Sequence, residues 1–97
     1  MIIVHDIFIC KPGNASKLAK MFKEAMAGNS ELVHIMTDLT GDYNKVVMVS
    51  KFENLAGFEA SFEKYMQDSD EMKKMRETMK GYHDLYQSGS REIYRVW

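Results

Sequence analysis

The sequence predicts an α+β domain in which helices cover one face of a four-stranded antiparallel sheet. Two observations carry this prediction. Short runs rich in β-branched residues occur at the start, middle and end of the chain, and two longer segments between them have helical periodicity. The 97 residues suit one compact domain, and no linker, internal repeat or low-complexity tract divides residues 1–97.

The first strand is the most informative stretch of the chain. Residues 2–10 form a short apolar run that the turn sequence Lys11-Pro12-Gly13 closes. Successive side chains of a strand point to opposite faces of the sheet, and both faces of this strand are mainly apolar. A strand that is apolar on both faces belongs at the centre of a covered sheet.

The next segments are an amphipathic helix and two strands. Asn14 or Ser16 can cap the helix, and Gly28 can end it in a left-handed conformation. Residues 31–39 and 45–52 then alternate as two strands joined by a turn of hairpin length. The apolar stripe of the helix consists of Leu18, Met21, Phe22, Ala25 and Met26.

A second helical region and a last strand complete the chain. Asn54 can cap a helix, residues 67–70 interrupt that helix, and a further helix follows. Residues 87–90 predict a loop, and residues 91–97 alternate as the last strand. The order β-α-β-β-α-β, with the second helical region split in two, is that of a ferredoxin-like fold with the antiparallel strand order 4-1-3-2. This order puts the first and third strands, which are apolar on both faces, at the centre.

Charge and composition exclude several classes of partner. The formal net charge is −1, so no basic surface is expected for nucleic acid or an anionic membrane. The longest apolar run is far shorter than the roughly 20 residues of a membrane span. The single Cys10 cannot form an internal disulfide, which fits a cytoplasmic protein. No spacing typical of a metal site and no glycine-rich phosphate loop occurs, so we expect neither a metal nor a cofactor.

One face of the predicted sheet has no helix to cover it. That face would expose a larger apolar patch than soluble monomers usually tolerate, and a second copy of the chain is the simplest partner. We therefore expect a homodimer in which the helix-free sheet faces meet. The residues predicted on this face are Ile3, Ile7, Ile9, Val33, Ile35, Val47, Val49, Ile93 and Trp97.

Three segments carry a resemblance to a known superfamily. They are Phe8-Ile9-Cys10-Lys11-Pro12-Gly13 at the end of the first strand, Lys51-Phe52-Glu53-Asn54-Leu55 where the third strand leads into a helix, and the helix break Asp68-Ser69-Asp70-Glu71-Met72. With them, nearly the whole chain resembles the dimeric α/β-barrel superfamily, and within it the NIPSNAP-like and antibiotic-biosynthesis-monooxygenase-like groups. These motifs are specific for fold more than for activity.

The resemblance implies a ligand pocket between the helices and the sheet of each subunit. Characterised relatives bind a polycyclic aromatic substrate or haem there. Relatives that degrade haem carry a histidine on the helix after the third strand, and residues 55–66 contain none, which disfavours haem. By the resemblance, the side chains that face the helices are Val4, Asp6, Phe8, Cys10, Met48, Ser50 and Phe52.

Asp6 is the residue most indicative of chemistry. A carboxylate in the middle of an apolar strand is costly unless it is paired, hydrogen-bonded or protonated. It is either a pocket group, acting as a base or hydrogen-bond anchor, or a structural partner of Arg91, Arg95 or Tyr94 on the last strand. His34 is the second catalytic candidate, in the pocket or at its rim. The other side chains predicted to line the pocket are Phe62, Tyr65, Tyr82 and Tyr94.

Two functions remain open from the sequence. The first is a cofactor-independent monooxygenase, whose electron-rich aromatic substrate reacts with O₂ while the protein supplies a dry cavity, a base and hydrogen-bond donors. Asp6 with His34 or a tyrosine would serve that chemistry. The second is a non-catalytic small-ligand-binding or assembly module, and the fold alone is compatible with both. His5 and His83 are expected at the dimer face and at the surface, respectively.

Overall fold

The computed structural model describes all 97 residues and has the predicted architecture. Its four strands form one antiparallel sheet in the order β2-β3-β1-β4, which confirms the ferredoxin-like prediction. The second helical region is split in two, as expected. In chain order the elements are β1 (Ile2–Cys10), α1 (Ala15–Ala25), β2 (Leu32–Thr37), β3 (Lys45–Phe52), α2 (Leu55–Tyr65), α3 (Asp70–Thr78), a 3-10 turn (Tyr82–Asp84) and β4 (Tyr86–Arg95).

Side-chain caps explain where the second and third helices begin. The Asn54 side chain accepts a 2.8 Å hydrogen bond from the backbone N–H of Gly57, and the Ser69 hydroxyl accepts one of 3.2 Å from Met72. Asn14 stands at the N-cap of α1, but its side chain makes no capping bond. None of the helices has the length and apolarity needed to cross a membrane.

The core lies between α1 and the face of the sheet that the helices cover. Leu18 and Val46 are fully buried in it, together with Cys10 and Phe22. By contrast, α2 contains no buried residue, although it starts with a good cap. Since most helical stability in proteins comes from packing, α2 is the least firmly held of the helices.

A β-bulge near the start of β2 changes which residues face the helices. Leu32 pairs with Ser50 but His34 pairs with Val49, so one extra residue is inserted between them. The insertion reverses the alternation for the rest of the strand. Ile35 therefore packs against the core, while His34 lies on the helix-free face. The sequence-based assignment of Ile35 to the helix-free face is wrong for this reason.

The last strand is longer than predicted, and its residues face the opposite sides of the sheet from those predicted. It begins at Tyr86, and residues 87–90, which were predicted as a loop, pair with β1. Gly89 lies opposite Phe8, and a Cβ on it would stand 3.7 Å from the Phe8 ring, so the strand runs close under that ring. Because Ile93 pairs with Val4, it shares the helix-facing side, contrary to the prediction.

The helix-free face has no covering layer in the single chain. Ile3, Ile7 and Ile9 of β1 share it with Val47 and Val49 of β3, as the register requires. Val49 is buried, and the other four side chains are partly exposed. The chain exposes 6941 Å² of surface, against about 5,700 Å² for a typical folded monomer of this mass. An excess of roughly 1,200 Å² is expected for a flat molecule, and this one measures 37 × 35 × 20 Å along its principal axes.

We propose that a second copy covers this face, burying about 800 Å² per subunit as in a standard specific interface. Ile7→Glu is expected to give monomers, because an unpaired charge in the buried centre of an interface costs several kcal/mol. Lys17→Glu, on the exposed side of α1, is the matched control and is expected to stay dimeric. Light scattering at micromolar concentration measures both. A monomeric mass for the unmodified chain, or a dimeric one for Ile7→Glu, would contradict the proposal.

Candidate functional site

A cavity of about 510 Å³ lies between the helix-facing side of the sheet and the helices. Its floor comes from alternate residues of the two central strands, since the uninterrupted register of β1 against β3 aligns their side chains on one face. The floor residues are Val4, Asp6, Phe8, Met48, Ser50 and Phe52. The helical wall includes Phe22, Met26, Phe58, Phe62, Tyr65, Met75 and Met79.

The cavity exists because α2 rests on the sheet through aromatic rings instead of interlocking with it. Phe52 of β3 meets Phe58 at 5.3 Å between ring centroids, and Phe58 meets Phe62 at 4.9 Å, both edge to face. Such a stack holds the helix away from the strands. Thirteen of the 21 lining residues are hydrophobic, so the site favours a ligand with an apolar body.

The Asp6 carboxylate forms an ion pair with Arg91 on the cavity wall. The two residues are direct cross-strand partners, and the Arg91 Nε donates a 2.5 Å hydrogen bond to Asp6 Oδ1. The Asp6 side chain is 13% exposed and that of Arg91 is 44% exposed. The guanidinium carbon lies 5.1 Å from the Phe58 ring centroid and 5.2 Å from that of Phe62, within range of cation–π attraction.

This pair is the structural partnership that the sequence left open for Asp6. One oxygen of the carboxylate is already engaged by a cation, so Asp6 is not the isolated base that the catalytic interpretation requires. At the same time, Asp6 and Arg91 both line the cavity. The pair therefore presents charged groups within a largely apolar wall.

Two tyrosine hydroxyls add hydrogen-bond donors to the wall. The Tyr65 hydroxyl accepts a 3.0 Å bond from Asn29 Nδ2 and donates a 3.9 Å bond to Met26 Sδ, a weak acceptor. Burial raises the pKa of Tyr65 above its ordinary value, outweighing the opposite effect of the Asn29 bond. Burial, and secondarily the neighbouring Tyr86, raises the pKa of Tyr82. Both phenols are therefore neutral at physiological pH and serve as donors, not as bases.

The structure brings nine of the eleven predicted site residues to one cavity. His34 and Tyr94 lie elsewhere, on the helix-free face. His34 is placed there by the β-bulge, and Tyr94 by its pairing with Ile3. The Tyr94 hydroxyl donates a 2.8 Å bond to Glu92, and its ring meets that of His5 edge to face at 5.3 Å. The nine residues at the cavity are Val4, Asp6, Phe8, Met48, Ser50, Phe52, Phe62, Tyr65 and Tyr82.

His83 and Lys80 line the cavity, and the sequence pattern predicts neither of them there. Gly81, with a φ of +83°, turns the chain sharply after α3 and brings His83 to the edge of the cavity. The His83 ring contacts that of Tyr82 at 3.9 Å, and its Nδ1 lies 3.4 Å from the Tyr86 hydroxyl. The glycine was the available signal, because a positive φ after a helix redirects the chain.

No three His, Cys, Asp or Glu side chains are grouped so that they could hold a metal ion. The single cysteine, Cys10, is buried in the core, and burial raises the pKa of its thiol. It lies outside the cavity lining.

The fold and the cavity define a ferredoxin-like protein with a pocket between its sheet and its helices. The chain belongs to the NIPSNAP family, whose sequence profile matches residues 7–94. No curated protein matches the sequence.

Solved structures share the fold at low sequence identity. An uncharacterized NIPSNAP domain protein from Burkholderia xenovorans has a TM-score of 0.78 and 11% identity, covering 100% of this chain and 95% of that one. A NIPSNAP family protein from Agrobacterium tumefaciens has a TM-score of 0.78 and 14% identity, covering 97% and 90%. A putative antibiotic biosynthesis monooxygenase from Nitrosomonas europaea has a TM-score of 0.63 and 12% identity, covering 99% and 98%.

If Asp6 and Arg91 stabilise each other, Asp6→Asn and Arg91→Gln should each cost about 1–2 kcal/mol of unfolding free energy. This is less than the ~3–5 kcal/mol for breaking a buried pair, because the Arg91 side chain is nearly half exposed. At about 4–8 °C per kcal/mol, a thermal melt resolves the change.

The double variant should lose less than the sum of the two single losses, since the two charges interact directly. Asp42→Asn is the matched control: the Asp42 side chain, which pairs with Lys45, is 72% exposed, and little change in melting temperature is expected. Additive losses in the double variant would mean that the pair makes no net contribution.

Proposed function

We propose that the protein binds a small molecule with an aromatic, largely apolar body in the cavity between sheet and helices. The observation that carries the proposal is the cavity itself. It is about 510 Å³ in volume and is lined by phenylalanine and methionine side chains with a few polar groups among them. Small-molecule sites in proteins have this volume and this mixture of many apolar and few polar groups.

The aromatic side chains favour a flat ring over a flexible chain. Phe8, Phe58 and Phe62 present ring faces and edges to the cavity, and aromatic pairs gain about 0.5–1.5 kcal/mol beyond their burial. The methionines add adaptable, polarisable contacts that also suit rings. The neutral Tyr65 and Tyr82 hydroxyls, and Ser50 and Ser61 nearby, can donate hydrogen bonds to oxygens on the ligand.

Binding without turnover is the function that the geometry supports best. The carboxylate that a catalytic role would require is paired with Arg91, and the second candidate base, His34, lies on the opposite face of the sheet. What is left at the cavity is a set of donors, one ion pair, the His83 ring at the rim and a large apolar wall. These groups hold and orient a molecule.

Methyl-labelled methionine NMR tests this proposal directly, because methionines lie both inside and outside the cavity. Addition of an aromatic probe such as naphthoate should shift the methyl signals of Met26, Met48 and Met75. The exposed Met66, which is outside the lining, should not move. Met48→Trp fills the floor and should abolish the shifts, whereas Met66→Trp should retain them. Shifts spread evenly over all the methionines would contradict binding at this cavity.

A second function, cofactor-independent oxygenation of an aromatic, has one specific observation in its favour. His83 stands at the rim of the same cavity as the Tyr65 and Tyr82 donors, so a base and two donors can reach one ligand. The fold is also shared with the putative antibiotic biosynthesis monooxygenase from Nitrosomonas europaea. In such a reaction a substrate CH₂ group and O₂ give a carbonyl and water, without an added reductant.

This function predicts that the protein accelerates uptake of O₂ by an anthrone and places one labelled oxygen atom in the product. His83→Gln should slow the reaction while leaving anthrone binding intact, since a general base typically contributes about 10²–10⁴-fold in rate. Asp6→Asn removes the carboxylate that is paired with Arg91. Comparison of its rate with that of His83→Gln shows which of the two residues is the base. Oxygen uptake no faster than in buffer, with the anthrone bound, would leave binding as the function.

A further inference from the structure

The net charge of the cavity lining is opposite in sign to the net charge of the whole chain. The residues lining it include three cations, Arg76, Lys80 and Arg91, and one carboxylate, that of Asp6. Their formal charge is +2, or +1 when Asp68, which pairs with Arg76 at 3.6 Å, is included, whereas the chain as a whole has a net charge of −1. A weakly acidic protein thus concentrates positive charge around its most apolar cavity, and a positive lining attracts anions and repels cations.

A neighbouring cleft shows that this excess is specific to the cavity. The cleft has a volume of about 690 Å³ and adjoins the cavity. Both are lined in part by Ser50, Phe52 and Tyr65. Its lining carries three carboxylates and two lysines, a formal charge of −1. An anion that enters between the helices and the sheet is therefore drawn to the aromatic cavity and not to the cleft.

Arg91 is the cation best placed to contact a ligand. Asp6 accepts the bond from its Nε, and neither terminal nitrogen of the guanidinium has a protein hydrogen-bond partner. The ion pair with Asp6 and the Phe58 and Phe62 rings hold the guanidinium in place. A fixed guanidinium edge with two free nitrogens matches the two oxygens of a carboxylate.

The other two cations contribute differently. The Arg76 guanidinium donates hydrogen bonds to the Tyr65 and Gln67 carbonyls and lies 3.6 Å from Asp68, so it ties α3 to the end of α2. The Lys80 ammonium has no such ion pair and stands next to the turn at Gly81. It adds long-range attraction for an anion without fixing the anion's orientation.

From these observations we infer that the ligand is an aromatic carboxylate, with its ring among the phenylalanines and its carboxylate on the free edge of Arg91. The inference rests on the proposed binding function and names its ligand class. In this arrangement Asp6 is a positioning residue, which holds the guanidinium through Nε and leaves its other two nitrogens for the ligand. Neutral aromatics of the same shape lose the charge-assisted contact and bind more weakly.

A matched pair of probes tests the inference. Naphthoate and naphthamide have nearly the same shape, but only naphthoate is negatively charged at neutral pH. Titrations followed by the methionine methyl signals should give a dissociation constant at least about tenfold lower for naphthoate, in keeping with a charge-assisted pair. Because Arg91 is partly exposed, added salt should reduce this preference.

Variants locate the origin of the preference. Arg91→Gln should abolish the preference for naphthoate while naphthamide still binds. Arg91→Lys should retain only part of the preference, since a lysine ammonium lacks the two side-by-side N–H donors of a guanidinium. Lys80→Gln should reduce the preference by a smaller factor. Lys17→Gln removes one positive charge on the exposed side of α1 and should leave both dissociation constants unchanged. Methyl spectra without ligand establish that each variant is folded.

The possible results separate the inference from the binding function. If naphthoate and naphthamide bind equally well at the cavity, the ligand class is wrong and the binding function stands. If the preference survives in the folded Arg91→Gln variant, Arg91 does not hold the carboxylate, so the inference is overturned while the binding function stands. If neither probe shifts the cavity methionines at millimolar concentration, both the binding function and the inference are overturned.

Discussion

The regular pairing of β1 with both of its neighbours is the constraint on which the rest of the structure depends. From Ile2 to Ile9 the strand is paired on each side without a bulge, and a register shift appears only between Ile9 and Cys10. A strict alternation over that length puts Asp6 on one side and Ile7 on the other. The floor of the cavity and the uncovered face both follow from it, as does the pairing of Asp6 with Arg91 across the β1–β4 ladder.

The second constraint is the weak attachment of α2. The helix is capped by Asn54 but buries none of its side chains completely. Phe58 and Phe62 bridge the space to the sheet, and the Arg91 guanidinium lies against both rings. A helix that packed more tightly would fill the cavity and cover Arg91. The loose fit therefore costs stability in the empty protein and gives a ligand surface to bury, and a bound ligand stabilises the folded state by mass action.

Periodicity in the sequence was sufficient for the architecture and for the cavity floor. The alternation along residues 2–10 identified the central strand, and the faces of Val4, Asp6 and Phe8 follow from that alternation alone. His34 and Tyr94 were misplaced for two different reasons. A one-residue bulge reverses the faces of β2 from His34 onward, and nothing in the residues around Leu32 marks it. Tyr94 lies on the helix-free face because β4 pairs it with Ile3, a register that the sequence does not specify.

The remaining differences also depend on contacts that periodicity does not encode. Residues 87–90 are polar or small and so predict a loop, yet they pair with β1, with Gly89 directly opposite Phe8. Whether Asp6 was a lone pocket group or an ion-pair partner could not be decided from the sequence. The decision needed the β1–β4 register, which sets Arg91 directly opposite Asp6. Local propensity was enough to predict the helices and strands. Long-range strand pairing determined their register and the face of the sheet on which each residue lies.

We propose that this family member holds an aromatic carboxylate between its sheet and its helices through Arg91. A crystal structure of the protein with naphthoate tests this proposal most directly. The ring should lie between Phe58, Phe62 and the floor of the cavity, with both carboxylate oxygens within about 3 Å of the two terminal nitrogens of Arg91. A carboxylate that points into solvent, or a ring bound outside the cavity, would refute the role of Arg91.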